Sequence, residues 1–198
     1  MARNKVIGYK INLPSIKKKI SKSSKYQGTL DNVANKKFKE AKEKLIQDFQ
    51  SHPVTMEISQ GSDAQNLSGT LGGYGNLYTF IGFSGNFNPT TLVREFLRSA
   101  IQMKKVPNAG SLNVNYSVKV PSLGDFDVAK MPWEGGNNWV EGVENGISGF
   151  SYYMSKASKA SRSGKGIQIN NKLRSISSSS NVKYMSQILN NFKKRIKV

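Results

Sequence analysis

The chain contains no cysteine and only one histidine, His52. Disulfides and thiolate metal sites are therefore excluded, and one histidine cannot form a histidine cluster. No run of about 18 apolar residues occurs, so we expect no transmembrane helix and no membrane partner. Acidic residues are absent from the last 48 positions. What the chain has instead is positive charge, glycine and aromatic residues.

Charge is distributed unevenly along the 198 residues. Residues 1–50 hold 13 Lys/Arg against 4 Asp/Glu, residues 51–150 hold 6 against 8, and residues 151–198 hold 11 against none. These counts give +9, −2 and +11, for a total of +18. Such segregation favours an extended polyanion or the acidic rim of a protein as partner, because these surfaces gain from many weak contacts. The alternative is that the lysines serve only solubility.

The pattern of apolar residues predicts three segments. Residues 1–30 have too few apolar side chains to hold a helix against a core, and we interpret them as a basic N-terminal arm. Residues 31–155 form the core domain, and residues 156–198 form a basic C-terminal extension with a terminal helix. The predicted fold class is α+β, with a mixed, mainly antiparallel sheet, helices packed on one face of it, and extended basic arms at both ends.

Helical spacing of apolar residues predicts helices over 31–49, 89–103 and 182–196, and a short helical turn over 138–144. The second of these begins with Asn88 as N-cap and Pro89 in the first turn. Alternation predicts strands over 54–58, 76–83, 112–120, 126–129 and 149–154. The strand over 76–83 follows the glycine loop GTLGGYG, residues 69–75, and is bulky on both faces, so we place it centrally in the sheet.

Catalytic and cofactor chemistry finds little support in the residues. The loop GTLGGYG lacks the Lys and Ser/Thr of a phosphate-binding loop and precedes a strand, so we expect no nucleotide and no other cofactor. The carboxylate pairs Asp125/Asp127 and Glu141/Glu144 fit ordinary solvated faces of a strand and a helix. His52, beside Pro53, fits a helix cap. We expect no enzyme and no metal site; a nuclease that uses Asp125 and Asp127 is the least favoured alternative.

Four stretches carry a resemblance to a known family. They are NLSGTLGGYGNLYTFIGF, FNPTTLVREFL, WVEGVENGISGFSYYM and SRSGKGIQI, and they cover residues 66–169, about half of the chain. In their order and their predicted elements they resemble the small neck and tail-completion proteins of tailed bacteriophages, which form rings between the head connector and the tail tube.

The resemblance implies a structural virion protein that assembles in the host cytoplasm. Its expected partners are further copies of itself in a ring, neighbouring neck, connector and tail proteins, and packaged DNA through non-specific contact. Exposed loops and arms would make the subunit contacts. Expected contact residues are Gly69, Leu71, Gly72, Gly73, Tyr74, Gly75, Trp133, Trp139, Tyr152 and Tyr153. Expected DNA-channel or partner residues are Lys17, Lys18, Lys19, Lys22, Lys25, Arg162, Lys165, Lys193, Lys194 and Arg195.

Two other functions remain open from the sequence. A tail terminator protein would share the same architecture. A small basic nucleic-acid-binding protein, architectural or ribosome-associated, would use the basic ends for phosphates and tyrosines such as Tyr26, Tyr152, Tyr153 and Tyr184 for base stacking. Because these tyrosines lie within strand and helix patterns, core packing explains them better, and we expect any DNA contact to be electrostatic and without sequence preference.

Overall fold

A computed structural model of the chain describes residues 12–70, 75–85, 87–107, 112–132, 138–145 and 183–197. These residues combine helices, which account for 64% of them, with a two-stranded antiparallel sheet. The chain divides into two compact units. The first unit consists of Met1–Lys39 and Met103–Val118, and the second unit consists of Glu40–Gln102 and Lys119–Val198.

The helices and strands are short apart from one long helix. The helices are α1 Leu13–Lys22, α2 Ser24–Ser51, α3 Pro53–Ser59, α4 Leu77–Ile81, α5 Pro89–Ala100, α6 Trp139–Asn145 and α7 Met185–Ile196. The strands are β1 Gln102–Val106 and β2 Asn115–Lys119, and single 3₁₀ turns occur at Gly61–Asp63 and Leu123–Asp125. The unit boundaries fall within α2, β1 and β2.

The first unit contains a helix where the sequence predicted an extended basic arm. The side chain of Asn12 caps α1 by accepting a hydrogen bond from the Ser15 amide at 3.1 Å, and a proline follows in the first turn. These local signals start a helix without any core. The apolar side chains of α1 are exposed, so the expectation that no core holds this segment agrees with the structure, whereas the expectation of a non-helical chain over 13–30 was wrong.

Strand β2 confirms the predicted strand over 112–120 in a shorter form. Tyr116 and Val118 are half-buried, whereas Asn115, Ser117 and Lys119 are exposed. This alternation is what a sheet with one solvated face requires. The predicted sheet was larger, but among the described residues the sheet has only two strands and the helices of the second unit pack on one another.

The core of the second unit is built from helices. Helix α3 packs against both α4 and α5, and α6 packs against α7. The largest side chains with less than 2% exposure are Trp139, Tyr78, Tyr184, Phe49, Phe126, Phe192, Leu45, Ile58, Leu77, Ile81, Leu97 and Ile101. Every described helix of this unit contributes at least one of them, so all of these helices take part in the core.

Four predicted helices are confirmed. Helix α2 extends the prediction over 31–49 toward the N-terminus, and α6 and α7 lie within the predicted ranges to one residue. Helix α5 begins at Pro89 as predicted, and the Asn88 carboxamide accepts hydrogen bonds from the amide and hydroxyl of Thr90 at 3.0 and 2.7 Å. It ends at Ala100 rather than 103, because residues from Gln102 onward pair in β1.

The predicted strand over 54–58 is helix α3. Its buried residues are Val54, Thr55, Glu57 and Ile58, which recur at helical rather than alternating spacing. Met56, which the strand pattern placed with the apolar face, is 38% exposed. The cap at His52 and the proline at 53 are helix-start signals that outweigh the apparent alternation.

The predicted central strand over 76–83 contains helix α4. Asn76 caps it by accepting a hydrogen bond from the Thr79 amide at 3.0 Å, and Gly82 ends it with a φ of +90°. A glycine in the left-handed region is the usual end of a helix. Both caps are visible in the sequence, but the bulky residues between them favoured the strand interpretation.

The predicted strand over 126–129 is also absent. Ser122 and Asp125 form a capping box around the 3₁₀ turn Leu123–Asp125, with the carboxylate of Asp125 accepting from the amide and hydroxyl of Ser122 at 2.8 and 2.9 Å. A turn follows, and Lys130 then forms an isolated antiparallel bridge with Asn138. The predicted strand over 149–154 lies outside the described residues.

Candidate functional site: a cationic surface on the first unit

The lysines of α1 and of the start of α2 lie in solvent. Lys17, Lys18, Lys19 and Lys22 on α1 and Lys25 on α2 are all exposed. Successive helical residues are 100° apart, so the four lysines on α1 cover three sides of that helix. The five basic residues that the sequence predicted here as partner contacts are therefore accessible.

The first unit carries most of the net charge of the protein. Met1–Lys39 and Met103–Val118 contain 13 Lys/Arg and one Asp/Glu, a net charge of +12 out of +18. The second unit holds the remaining 17 Lys/Arg against 11 Asp/Glu, a net charge of +6. Charge density on this scale attracts polyanions at long range and in a salt-dependent manner.

The one acidic residue of the first unit is already engaged. The Asp31 carboxylate accepts a hydrogen bond from the Tyr116 hydroxyl at 2.5 Å, and the Lys105 ammonium lies 2.9 Å from it. The hydrogen bonds from Tyr116 and then Lys105 lower the pKa of Asp31. Desolvation and then the bond to Asp31 raise the pKa of Tyr116 to about 12. Asp31 thus joins α2 to the β-hairpin and leaves few negative charges for a ligand to meet.

Tyr26 is a structural residue of the same unit. Its hydroxyl donates to the carbonyl of Leu112 at 3.0 Å, and its side chain is half-buried. Tyr184, in the second unit, is fully buried. Packing rather than base stacking therefore explains these two tyrosines, as the sequence indicated, and Tyr152 and Tyr153 lie outside the described residues.

The second unit exposes a smaller basic group at the end of α7. Lys193 and Lys194 are exposed, and their position in the last turn complements the helix dipole. Arg195 differs from them, because its guanidinium donates to the Asp48 carboxylate at 2.6 Å. Two of the three predicted contact residues on α7 are therefore available, and the third joins α7 to α2. Arg162 and Lys165 lie outside the described residues.

The glycine loop over 69–75 is held at its base by a buried carboxylate. Glu57 has no exposed surface, and it accepts hydrogen bonds from the amides of Ser68 at 2.7 Å and Leu77 at 2.6 Å. Gly69 and Gly75 have φ values of +64° and +65°, which side-chain-bearing residues adopt only with strain. Leu71, Gly72, Gly73 and Tyr74 lie outside the described residues.

Asn76 also holds the end of this loop in place through hydrogen bonds. Its carboxamide donates to the carbonyls of Ser62 at 2.7 Å and Ala64 at 3.0 Å while it caps α4. Sequence reasoning missed both Glu57 and Asn76, because each was placed within a predicted strand. An acidic residue in an otherwise apolar segment, twelve positions before the glycine loop, was the signal available for Glu57.

We expect Glu57→Gln to destabilise the protein by about 1–3 kcal/mol, because one of two buried amide donors loses its acceptor. Urea unfolding monitored by circular dichroism measures the change. Glu95→Gln is the matched control, since Glu95 lies on the surface of α5 and its side chain is 54% exposed. Its ion pairs with arginines are solvent-exposed, so a change of less than about 0.5 kcal/mol is expected. Equal effects of the two substitutions would contradict the role given to Glu57.

Trp139 is a core residue, which corrects its prediction as a contact residue. It has no exposed surface, its ring meets Phe83 edge-on at 6.2 Å between centroids, and it stacks on Tyr184 at 6.4 Å. A residue covered by its own chain has no surface to offer a neighbouring subunit. Trp133 lies outside the described residues.

A buried polar cluster attaches the start of α7 to α6 and α3. Glu144 accepts hydrogen bonds from both the amide, at 3.0 Å, and the hydroxyl of Ser186 in the first turn of α7. The Tyr184 hydroxyl lies 2.8 Å from that of Thr55, and burial raises the pKa of Tyr184. Tyr184 offers no side-chain cap for α7, so Glu144 supplies the acceptor from another helix. Glu144 is 7% exposed, which corrects its prediction as a solvated residue.

His52 confirms its prediction as a helix cap. Its Nδ1 accepts a hydrogen bond from the Val54 amide at 3.3 Å, and its ring lies 4.9 Å from that of Tyr184. Burial lowers the pKa of His52, and a hydrogen bond to the Lys183 backbone and the charge of Glu144 oppose this effect. The imidazole is therefore more easily protonated in the unfolded chain.

We expect the free energy of unfolding to fall as the pH drops below about 6.5, because the unfolded state takes up a proton on His52 before the folded state does. His52→Asn retains an acceptor for the Val54 amide and removes the titrating group. Urea unfolding at about pH 7.5 and about pH 5.5 measures both proteins. The wild type should lose more stability between these values than the variant, and identical losses would contradict the assignment to His52.

The remaining carboxylates do not assemble into a site in the described parts of the chain. Asp125 closes a capping box, and hydrogen bonds from the amide and then the hydroxyl of Ser122 lower its pKa. Asp127 is exposed. Asn138 caps α6 by accepting a hydrogen bond from the Glu141 amide at 2.6 Å, and its side-chain nitrogen donates to the Glu141 carboxylate at 3.3 Å. Among the described residues, no group of three or more His, Asp or Glu side chains is arranged to hold a metal ion. None of the described helices has the length and apolar character needed to cross a bilayer.

Comparisons with known proteins do not assign the chain to a family. No family model, no curated protein and no solved structure matches it. We therefore infer a function from two features, the cationic surface of the first unit and the glycine loop of the second unit.

Proposed function

We propose that the protein is a structural subunit of the neck of a tailed bacteriophage, without enzymatic activity, and that copies of it form a ring between head connector and tail tube. The observation that carries this proposal is the nearly unopposed positive charge of the first unit. Its net charge is +12, and its one acidic residue is bound by Lys105 and Tyr116. A ring lined by such units would surround packaged DNA and hold it by screened contacts without sequence preference.

The glycine loop is proposed as a subunit contact. Its two ends are fixed by Glu57 and Asn76, and a Cβ placed on Gly69 would meet no atom within 4 Å. Loops held at their ends by a rigid scaffold often carry contact residues, so we place a subunit contact here. The resemblance over residues 66–169 suggests the neck as the location, and the basic residues near both ends of the chain are proposed as further contacts in the same ring.

Electron microscopy with mass determination tests the proposal. The purified chain is examined alone and mixed with candidate head-connector and tail-tube proteins, at low and at high salt. We expect rings, or partner-dependent assembly that survives high salt, because subunit contacts that bury apolar surface are weakly screened. A persistent monomer that ignores those proteins would overturn the neck assignment and, with it, the tail terminator alternative.

A monomeric nucleic-acid-binding protein is the second candidate, because the same cationic unit favours it. This candidate predicts tight binding of duplex DNA or RNA by the monomer, with an affinity that falls steeply as salt rises. The two functions differ in oligomeric state rather than in charge. Mass determination in the presence and absence of duplex DNA therefore separates them.

A further inference from the structure

Helix α1 exposes a narrow apolar stripe. Leu13, Ile16 and Ile20 follow one another at steps of three and four, so they share one side of the helix. Their exposed fractions are 61%, 43% and 43%. Steps of three and four are those of the a and d positions in a helix that packs along another helix. We call these three residues the α1 seam.

The helix that carries the seam is fixed at both ends. Asn12 caps its start, and at its end the Ser23 amide donates to the Ile20 carbonyl at 3.0 Å while the Gln27 carboxamide donates to the Ser21 carbonyl at 2.8 Å. A helix of 10 residues is nevertheless marginal in water when its apolar side is uncovered. A partner on the seam would stabilise α1 and would find it already in the binding conformation.

The charge around the seam selects the kind of partner. Lys17 lies on one side of the seam and Lys19 on the other, whereas Lys18 and Lys22 point away from it. No acidic residue occurs between residues 12 and 30. A complementary surface therefore has an apolar centre bordered by carboxylates.

Neither the two long segments outside the described residues nor a second α1 supplies such a surface. The two long segments outside the described residues, 1–11 and 146–182, contain three and six Lys/Arg and no Asp/Glu. Either of them would bring like charge against Lys17 and Lys19. A second α1 would do the same. Electrostatic repulsion thus argues against both as occupants of the seam.

We propose that the α1 seam docks into an apolar groove or onto an amphipathic helix of an acidic partner protein, with carboxylates of the partner paired to Lys17 and Lys19. A lipid surface fits less well, because interfacial helices present a wide apolar face with aromatic side chains and the seam has three aliphatic residues. Duplex DNA offers no surface for Ile16 and Ile20. This inference does not rest on the neck assignment.

The test uses the full chain and a synthetic helical probe. The probe is a peptide of about three heptads with Leu and Ile at a and d and Glu at e and g, and its control is a scrambled peptide of the same composition. Fluorescence anisotropy at moderate salt measures binding. The variant Ile16→Gln/Ile20→Gln removes apolar surface and retains helix propensity and charge. Val33→Gln is the matched control, since Val33 on α2 is 61% exposed and lies outside the seam.

The wild type should bind the patterned peptide at least about tenfold more tightly than the scrambled one, because burial of two isoleucines adds to the charge attraction. Ile16→Gln/Ile20→Gln should lose this difference and retain the weaker binding, whereas Val33→Gln should retain both. Equal binding of the two peptides, or an unchanged double variant, would overturn the proposal in favour of charge alone. Binding of anionic phospholipid vesicles that is stronger than peptide binding and is lost in the double variant would overturn it in favour of a membrane surface.

Circular dichroism of the variants verifies that α1 and the remaining helices persist. Duplex DNA serves as an independent readout, since Ile16→Gln/Ile20→Gln retains every lysine. Its DNA affinity should equal that of the wild type. A large loss of DNA affinity in this variant would contradict the separation of the apolar seam from the charged sides of α1.

Discussion

Trp139→Ala is expected to destabilise the protein by about 3–5 kcal/mol, the largest stability change that we predict for a single substitution. The indole has no exposed surface and lies between Phe83 and Tyr184. Its removal leaves a cavity between α6, α7 and the segment after α4, and the rings of Phe83 and Tyr184 lose their contacts with the indole. For a chain of this size the midpoint of thermal unfolding should fall by roughly 10 °C.

Thermal unfolding at two protein concentrations separates the core role of Trp139 from the contact role predicted from the sequence. If Trp139 is a core residue, its substitution lowers the unfolding midpoint by the same amount at both concentrations. If it is a contact residue, its substitution weakens self-association and leaves the unfolding midpoint of the dilute protein unchanged. Leu92→Ala is the control, because Leu92 lies on α5 with 45% of its surface exposed. It should change stability by no more than about 0.5 kcal/mol.

The helices were predictable wherever apolar spacing and a cap agreed. In α5, the Asn88 cap, Pro89 and the buried Val93 and Leu97 all indicate the same element, and the structure follows them. In α7, Ile188, Leu189 and Phe192 are buried at helical spacing. Local and tertiary preferences coincide in both helices, which is the condition under which sequence reasoning works.

The errors arose in short segments that are apolar on more than one side. Five residues such as Leu77–Ile81 are compatible with a strand or a single helical turn, and the choice is then made by Asn76 and Gly82 at the ends. Glu57 was misplaced for the same reason. The orientation of a side chain cannot be predicted when its element is misassigned, so the buried position of Glu57 was missed.

The cationic surface was the part of the candidate site most accessible to sequence reasoning, because charge is counted without knowing the fold. The helical form of this surface was not predicted, since α1 depends on the cap at Asn12 rather than on a core. The engagement of Asp31 by Tyr116 and Lys105 was also invisible, because those residues lie more than 70 positions away along the chain. Long-range polar contacts of this kind have no local signal.

Removal of two lysines from α1 should weaken duplex binding and its salt dependence more than removal of two lysines elsewhere. Lys18→Gln/Lys22→Gln removes exposed charges on the side of α1 away from the seam. If both contact phosphates, the slope of log K against log salt should become shallower by about 2, and the affinity near about 0.1 M salt should fall more than tenfold. Helix propensity is retained, since Gln and Lys are similar.

Lys119→Gln/Lys130→Gln is the matched control, because it removes the same charge from exposed positions of the second unit. Both variants have a net charge of +16 instead of +18, so any difference between them reports where the polyanion binds. Titrations of one duplex over a range of salt concentrations measure the two slopes. Equal slopes would mean that DNA responds only to total charge, and the first unit would then lose its role as the polyanion-binding surface. A shallower slope for the α1 variant alone would place the DNA against the one part of the chain in which positive charge is almost unopposed.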